Sequence, residues 1–254
     1  FLDMLVVMKF GGTAVESGER IRHISNIALN YQQKMGFDVI LVTSAVKGMT
    51  DEILAVAESV KKGDKSAVNQ FVDRLKRLHL SLIDSSIFDE AKKKEAKNTV
   101  SELVDLIKNV LHGMLPIREV TPKMLDYLLS FGERLSTFIV SVTIEDIGGS
   151  SQYLIGNDAG IVTDSNFGDA LPLMDTTKLN VSHRLKPLLA KKVIPVITGF
   201  IGADQFGNIT TIGRGGSDYT ATIIAAGSRA DEVWLWSDVD GLMTADPKIV
   251  SDAR

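Results

Sequence analysis

Leu5-Val6-Val7-Met8-Lys9-Phe10-Gly11-Gly12-Thr13 is a short apolar run that stops at two glycines. A helical stretch, Arg20 to Lys34, follows it, and a second strand-like run, Val39 to Thr43, follows the helix. Such runs recur at Tyr153 to Ile155, Ile161 to Thr163, Val193 to Thr198, Ile209 to Ile212 and Val233 to Trp236, with helical stretches at Thr176 to Ala190 and Tyr219 to Ala226. Strands that are apolar at nearly every position, rather than at alternate ones, are typical of a parallel sheet covered on both faces. Alternation of strands with helices implies right-handed crossovers and an open, helix-covered α/β sheet.

One region breaks the alternation. Between Asp51 and Leu129 no convincing strand occurs, while Val68, Phe71, Leu75, Leu78 and Leu82, and again Val100, Leu103, Val104, Ile107 and Leu111, recur at three and four residues. That spacing predicts a helical insertion packed beside the sheet. Its charged stretch, Asp89 to Glu95, mixes signs at helical spacing, as a solvated face does.

The 254 residues carry 28 Lys and Arg against 32 Asp and Glu, a formal charge of −4, which argues against a nucleic-acid binder. A 44% hydrophobic and 24% charged composition excludes disorder for the bulk of the chain. Cysteine is absent, so disulfides, thiolate zinc sites and cysteine nucleophiles are excluded, and a reducing, cytoplasmic location is expected. The longest apolar runs are strand-sized and fall short of the roughly 20 residues of a spanning helix, so no membrane association is expected. The start of the chain does not read as an export signal.

Five stretches carry candidate chemistry. At Lys9 to Thr13 two glycines let the backbone approach an anion closely, and Lys9 adds a compact positive charge, which suits a phosphate cradle. Neither a Walker A loop nor the dinucleotide fingerprint occurs. At Gly213-Arg214-Gly215-Gly216-Ser217-Asp218-Tyr219-Thr220-Ala221, consecutive glycines before a helix can form an amide nest, Ser217 or Asp218 can cap the helix, and Arg214 offers a planar fork to a carboxylate or phosphate. The third stretch, Trp234 to Lys248, again runs from a strand into a polar turn, although Asp240-Gly241 also reads as a plain turn and Asp246-Pro247 as a helix stop. Trp234 and Trp236 alternate on that strand and read as core or subunit contact. The fourth stretch, Thr43 to Asp51, also follows a buried strand. Ligands of open α/β sheets sit beyond the carboxyl ends of strands, where these stretches converge. In the fifth, Ser130 to Leu135, Glu133 opens an apolar helical run, where a lone glutamate ordinarily compensates the helix dipole. His23, His79, His112 and His183 lack metal-ligand spacing and read as surface or partly buried helix residues, and no Ser/His/Asp signature appears.

Taken in order, Lys9-Phe-Gly-Gly-Thr13, Ser44 to Asp51, Ser130-Phe-Gly-Glu-Arg134, Gly199-Phe-Ile-Gly202, Gly213 to Thr220 and Ser237-Asp-Val-Asp-Gly241 resemble the aspartokinases of the amino acid kinase family, over essentially the whole chain. The resemblance implies a three-layer αβα sandwich with a mainly parallel central sheet, and transfer of the γ-phosphoryl of ATP, with Mg²⁺, to the β-carboxylate of L-aspartate. It implies that Lys9 and Asp218 are catalytic, and that Glu133 receives the substrate ammonium while Arg214 grips the α-carboxylate. Ser44, Thr50, Phe200 and Ser217 correspond to further substrate positions. Gly11, Gly12, Ser237, Asp238, Met243 and Lys248 correspond to nucleotide positions, Met243 standing where many relatives carry a tyrosine. Metal ligands are not identified. Residues 1–254 would form a catalytic domain that relatives extend further, commonly with two ACT regulatory domains; the family commonly forms homodimers, and a weak dimer or a monomer is the expectation for this segment. The alternatives are another amino acid kinase, such as one acting on glutamate or N-acetylglutamate, and a non-catalytic sensor of amino acid or nucleotide.

Overall fold

A computed structural model of the chain describes residues 4–213 and 215–237. Strand β1 (Leu5–Phe10) leads through a short 3-10 turn to helix α1 (Gly18–Met35) and β2 (Asp38–Thr43). Four helices follow, α2 (Met49–Lys62), α3 (Lys65–Ser86), α4 (Glu90–Met114) and α5 (Pro122–Asp146). Then come β3 (Ser151–Leu154), α6 (Met174–Ala190), β4 (Ile194–Thr198), β5 (Ile201–Ala203), β6 (Ile209–Thr211), α7 (Gly216–Ser228) and β7 (Glu232–Trp236).

Five strands form one sheet in the order β3-β4-β2-β1-β7, and every neighbouring pair is parallel. Period-two geometry sends Val6, Met8, Phe10, Val39, Leu41, Ile194 and Val196 into the core on one face, shared with α1 and α5. Val7, Ile40, Val42 and Ile197 enter a second core on the other face, with Val181 and Leu185 of α6 and Ile223 and Ile224 of α7. Burial on both faces is why these strands read as unbroken apolar runs.

Helix starts are written locally. The side chains of Ser17, Asp64, Asp89 and Thr121 accept hydrogen bonds from Arg20, Ala67, Lys92 and Met124 N–H at the starts of α1, α3, α4 and α5. The stretch without strands holds α2, α3, α4 and the beginning of α5, which continues onto the sheet, where Leu135 and Ile139 join the core. Trp234 is part-buried and lies edge-on to Tyr31 at 4.8 Å, whereas Trp236 stacks on Phe10 at 5.6 Å and keeps an exposed face.

Three local expectations change. Ile161 to Thr163 forms no strand; Val162 and Thr163 make isolated bridges to Ala203 and Pro172, because the chain crosses partners that offer too short a ladder. The Ile209 segment leaves the parallel sheet and pairs antiparallel with β5 in a separate two-stranded ribbon. His79 is fully buried on α3, and its Nδ1 bonds the Leu75 carbonyl at 2.8 Å. Burial in apolar surroundings pulls His79 down to about 4 and keeps it neutral, with Nε2 unpartnered.

Candidate active site

Parallel pairing brings the strand ends level, since Phe10 lies opposite Thr43 on one side and Trp236 on the other, and Thr43 lies opposite Thr198. Beyond those ends opens a cavity of about 680 Å³, lined by Lys9, Ser44, Thr50, Glu133, Phe200, Ser217 and Asp218 among others. Its size suits a small-molecule site. The catalytic pair therefore shares it with five of the six substrate positions read from the sequence, Ser44, Thr50, Glu133, Phe200 and Ser217.

Lys9 Nζ lies 2.7 Å from Asp218 Oδ1, which joins the end of β1 to the first turn of α7. The lysine side chain is 14% exposed and the aspartate 51%, so the pair faces the opening rather than the core. Helix α7 starts from Gly215 in the left-handed conformation with no side-chain cap. Ser217 and Asp218 thus sit within the first helical turn and do not cap it, contrary to the sequence expectation; the helix begins at Gly216 rather than at Tyr219, where the apolar pattern indicates.

Beside the lysine, the Gly11-Gly12 turn packs on the loop after β2. A Cβ on Gly12 would come within 2.8 Å of the Ala45 carbonyl oxygen and 3.0 Å of Lys47 N, so only glycine permits this approach. The Lys47 N–H donates to the Gly12 carbonyl at 3.2 Å. Ser237 follows β7 directly, level with Gly11 in the register that pairs Phe10 with Trp236. Gly11, Gly12 and Ser237 border this end of the sheet without lining the cavity itself.

Glu133 occupies the middle of α5, not a helix start, so dipole compensation does not account for it. Thr121 caps α5 and Pro122 opens it, well before the apolar run that suggested a later beginning. Two contacts fix α5 on the end of β2: Ser136 Oγ donates to the Ser44 carbonyl at 2.7 Å, and the Thr43 and Thr137 hydroxyls meet at 2.7 Å. Gly132 makes room, because a Cβ there would lie 2.9 Å from Ala45 Cβ. The outcome is a glutamate only 4% exposed at the cavity wall. Burial pushes its carboxyl up to about 8, against the opposing pull of the backbone N–H groups of Glu133 and Ala45.

Phe200 holds a left-handed backbone, φ 67°, which is uncommon for a bulky residue. The Phe200 N–H donates to Thr220 Oγ1 and the Phe200 carbonyl accepts from Ile212 N–H, each at 2.9 Å, so α7 and the end of β6 hold it in place. Arg214, Asp238, Met243 and Lys248 lie outside the described residues.

Sequence reasoning missed Asp126, Thr211 and Gly168, which also line the cavity. Asp126 is fully buried on α5, accepts hydrogen bonds from Thr211 and Gly168, and is pushed above the usual carboxylate range by burial. A signal was present: Asp126 and Glu133 are acidic residues seven apart, hence on one face, of a helix rich in buried apolar residues.

A cavity with a lysine at the carboxyl end of a parallel sheet and a buried carboxyl on its wall is the arrangement of a small-molecule site. The profile of the Amino acid kinase family matches residues 4–254, and the chain belongs to that family. Among curated relatives it is 33% identical to aspartokinase 2, chloroplastic, of Arabidopsis thaliana, over 99% of this chain and 45% of that protein. It is also 33% identical to the aspartokinase of Corynebacterium glutamicum, over 98% of this chain and 45% of that protein. The chain thus spans less than half the length of these relatives. Crystal structures of E. coli aspartokinase III, one with lysine and aspartate in the T-state and one with aspartate and ADP in the R-state, superpose with TM-scores of 0.84 at 27% and 26% identity. Each match covers 98% of this chain and 53% of the other. No helix among the described residues is long and apolar enough to cross a membrane.

Proposed function

We propose that the chain is the catalytic part of an aspartate kinase, which transfers the γ-phosphoryl of ATP to the β-carboxylate of L-aspartate and yields 4-phospho-L-aspartate and ADP. The observation that carries this reading is Glu133, a buried carboxyl in the same cavity as the Lys9–Asp218 pair. A carboxyl held neutral by burial gains a charge partner when an ammonium enters, so the site favours a free α-amino acid over an N-acylated one. The acceptor carboxylate, with a pKa of about 4, is already ionised at neutral pH and needs no general base. Catalysis then rests on alignment and on cations placed at the phosphoryl oxygens.

Lys9 supplies such a cation, and Asp218 orients it across their 2.7 Å contact. Glu133 takes the substrate ammonium and Arg214 the α-carboxylate, in the bidentate manner suited to a guanidinium. Ser44, Thr50, Phe200 and Ser217 complete the substrate pocket. The close glycine turn at Gly11 and Gly12, with Lys9 Nζ 3.6 Å from where a Gly11 Cβ would stand, fits a polyphosphate. Ser237, Asp238, Met243 and Lys248 extend that site towards the nucleoside. Mg²⁺ bound with the ATP supplies charge neutralisation on the phosphate oxygens. The reading further takes residues 51–129 as a helical insertion within the catalytic domain, a homodimer as the assembly and the cytoplasm as the place of action.

The test is ADP release from Mg·ATP measured separately with L-aspartate, L-glutamate and N-acetyl-L-glutamate. Stimulation by aspartate alone supports the reading. Nucleotide binding without turnover on any acid contradicts it and indicates a sensor.

A further inference from the structure

Asp126 lies one turn-pair before Glu133 on the same face of α5, and both of its carboxylate oxygens are bonded within the protein. Oδ1 accepts from the Thr211 hydroxyl at 2.7 Å, while Oδ2 accepts from Thr211 N–H and Gly168 N–H, each at 3.0 Å. These are three distant pieces of chain: α5, the end of β6 and the turn after Asp164. The last two also bond each other through Ala170 N–H and the Thr211 carbonyl at 2.9 Å. The turn abuts Gly213 so closely that a Cβ there would clash with the Asp169 carboxylate. From Thr211 the chain passes through buried Ile212 to Gly213, Gly215, Gly216 and Ser217, all on the cavity wall.

We propose that Asp126 is a positioning residue that sets the span between Glu133 and the wall formed by Gly213 and Gly215 to Ser217, and so governs how the amino-acid substrate is held, acting through its bonds to Thr211 and Gly168. The inference rests on the aspartate-kinase reading above. Glu133 and Asp126 are rigidly related by α5, and Thr211 fixes the wall to that same helix. A shift of the wall alters the fit of a substrate gripped at both ends. The nucleotide cradle at Gly11 and Gly12 hangs from β1 and the loop after β2, on different contacts, so it should not sense the change.

Geometry and charge separate in the variants. Asp126→Asn can keep its carbonyl oxygen on both backbone N–H groups and turn its amide to the Thr211 hydroxyl, whereas Asp126→Ala leaves those donors without a partner. The full-length protein and its Asp126→Ala, Asp126→Asn and Thr211→Val variants are compared for kcat, for KM of aspartate and of ATP, and for melting temperature. Asp126→Ala is expected to raise the aspartate KM about tenfold, and Thr211→Val about threefold, the scale of hydrogen bonds lost at a buried site, with the ATP KM little changed. Asp126→Asn should return the aspartate KM towards wild type. Asp126→Asn as impaired as Asp126→Ala would overturn the proposal in favour of the charge itself. A lower melting temperature with both KM values unchanged would reduce Asp126 to a stability role. Should Asp126→Ala fail to fold, Thr211→Val decides: an unaltered aspartate KM overturns the proposal. An unmodified protein that does not turn over aspartate overturns the functional reading and the inference together, whereas an active one with unaltered variants overturns the inference alone.

Discussion

Lys9 on β1 and Asp218 on α7 meet at 2.7 Å across the carboxyl end of the sheet, although 209 positions separate them in the chain (218 − 9). The contact exists because β1 is a central strand whose end is level with its neighbours, and α7 packs its Ile223 and Ile224 beneath the same sheet. With the aspartate half exposed, the pair adds little to stability. Its consequence lies in where it holds the lysine charge.

Lys9→Ala is therefore expected to lower kcat by at least about 10²-fold, the usual effect of losing one preorganised charge at a transition state, while the melting temperature changes little. Lys9→Arg should not restore the rate, because a planar fork does not replace a compact ammonium. Steady-state kinetics beside thermal unfolding check both statements; a large melting shift with unchanged kcat would remove Lys9 from the chemistry.

Glu133 gives a pH dependence with a definite sign. Its folded-state value of about 8 lies above the ordinary 4.5, so the folded state binds the extra proton between these values and stability contributed by this group falls as pH rises through that window. Glu133→Gln should abolish that part of the slope in urea unfolding measured from pH 5 to 8. Aspartate binding should release a proton near neutral pH, since the ammonium favours the ionised carboxylate, and its affinity should rise towards pH 8. Calorimetry in buffers of different ionisation enthalpy detects the proton; an aspartate affinity independent of pH would contradict the assignment.

His79 acts in the opposite sense. A folded value of about 4 against the ordinary 6.5 means that the unfolded chain takes up the proton first, so stability is complete above 6.5 and is lost as pH falls towards 4. His79→Leu should move the acid-unfolding midpoint to lower pH and leave activity at neutral pH unaltered. An unchanged acid limb would place the sensitive group elsewhere.

Gly12→Ala drives a methyl group onto backbone, not onto a side chain that can turn away. A cost of about 1–3 kcal/mol is expected from such overpacking, together with a raised KM for ATP and an unaltered KM for aspartate. Kinetics with each substrate varied in turn distinguish this from a general loss of fold.

The parallel sheet was legible because Val6 to Phe10, Val39 to Thr43 and Ile194 to Thr198 are buried on both faces, and such burial leaves an unbroken apolar record. Lys9 and the two glycines were legible for the same local reason. The middle of α5 was not: Ser130 and Gly132 interrupt its apolar pattern, and a glycine inside a helix costs about 1 kcal/mol relative to alanine, which the contact with Ala45 explains only once the fold is known. Residues alone thus placed Glu133 at a helix start, and the resemblance to aspartokinases supplied its role. Asp126 escaped notice because its partners Gly168 and Thr211 are 42 and 85 residues away in sequence. Of the β5–β6 ribbon, the Ile209 strand was legible but its antiparallel partner was not, because β5 has three residues, too few for any period to declare itself.

The central claim is a phosphoryl group placed on the β-carboxylate of aspartate, and the acyl phosphate can be trapped directly. The full-length protein, Mg·ATP and hydroxylamine are incubated with L-aspartate, L-glutamate or N-acetyl-L-glutamate in separate reactions, and hydroxamate and ADP are measured together. Aspartyl hydroxamate formed in step with ADP, from aspartate alone, is the predicted result. ADP without hydroxamate, or hydroxamate from N-acetyl-L-glutamate in place of aspartate, would contradict the account.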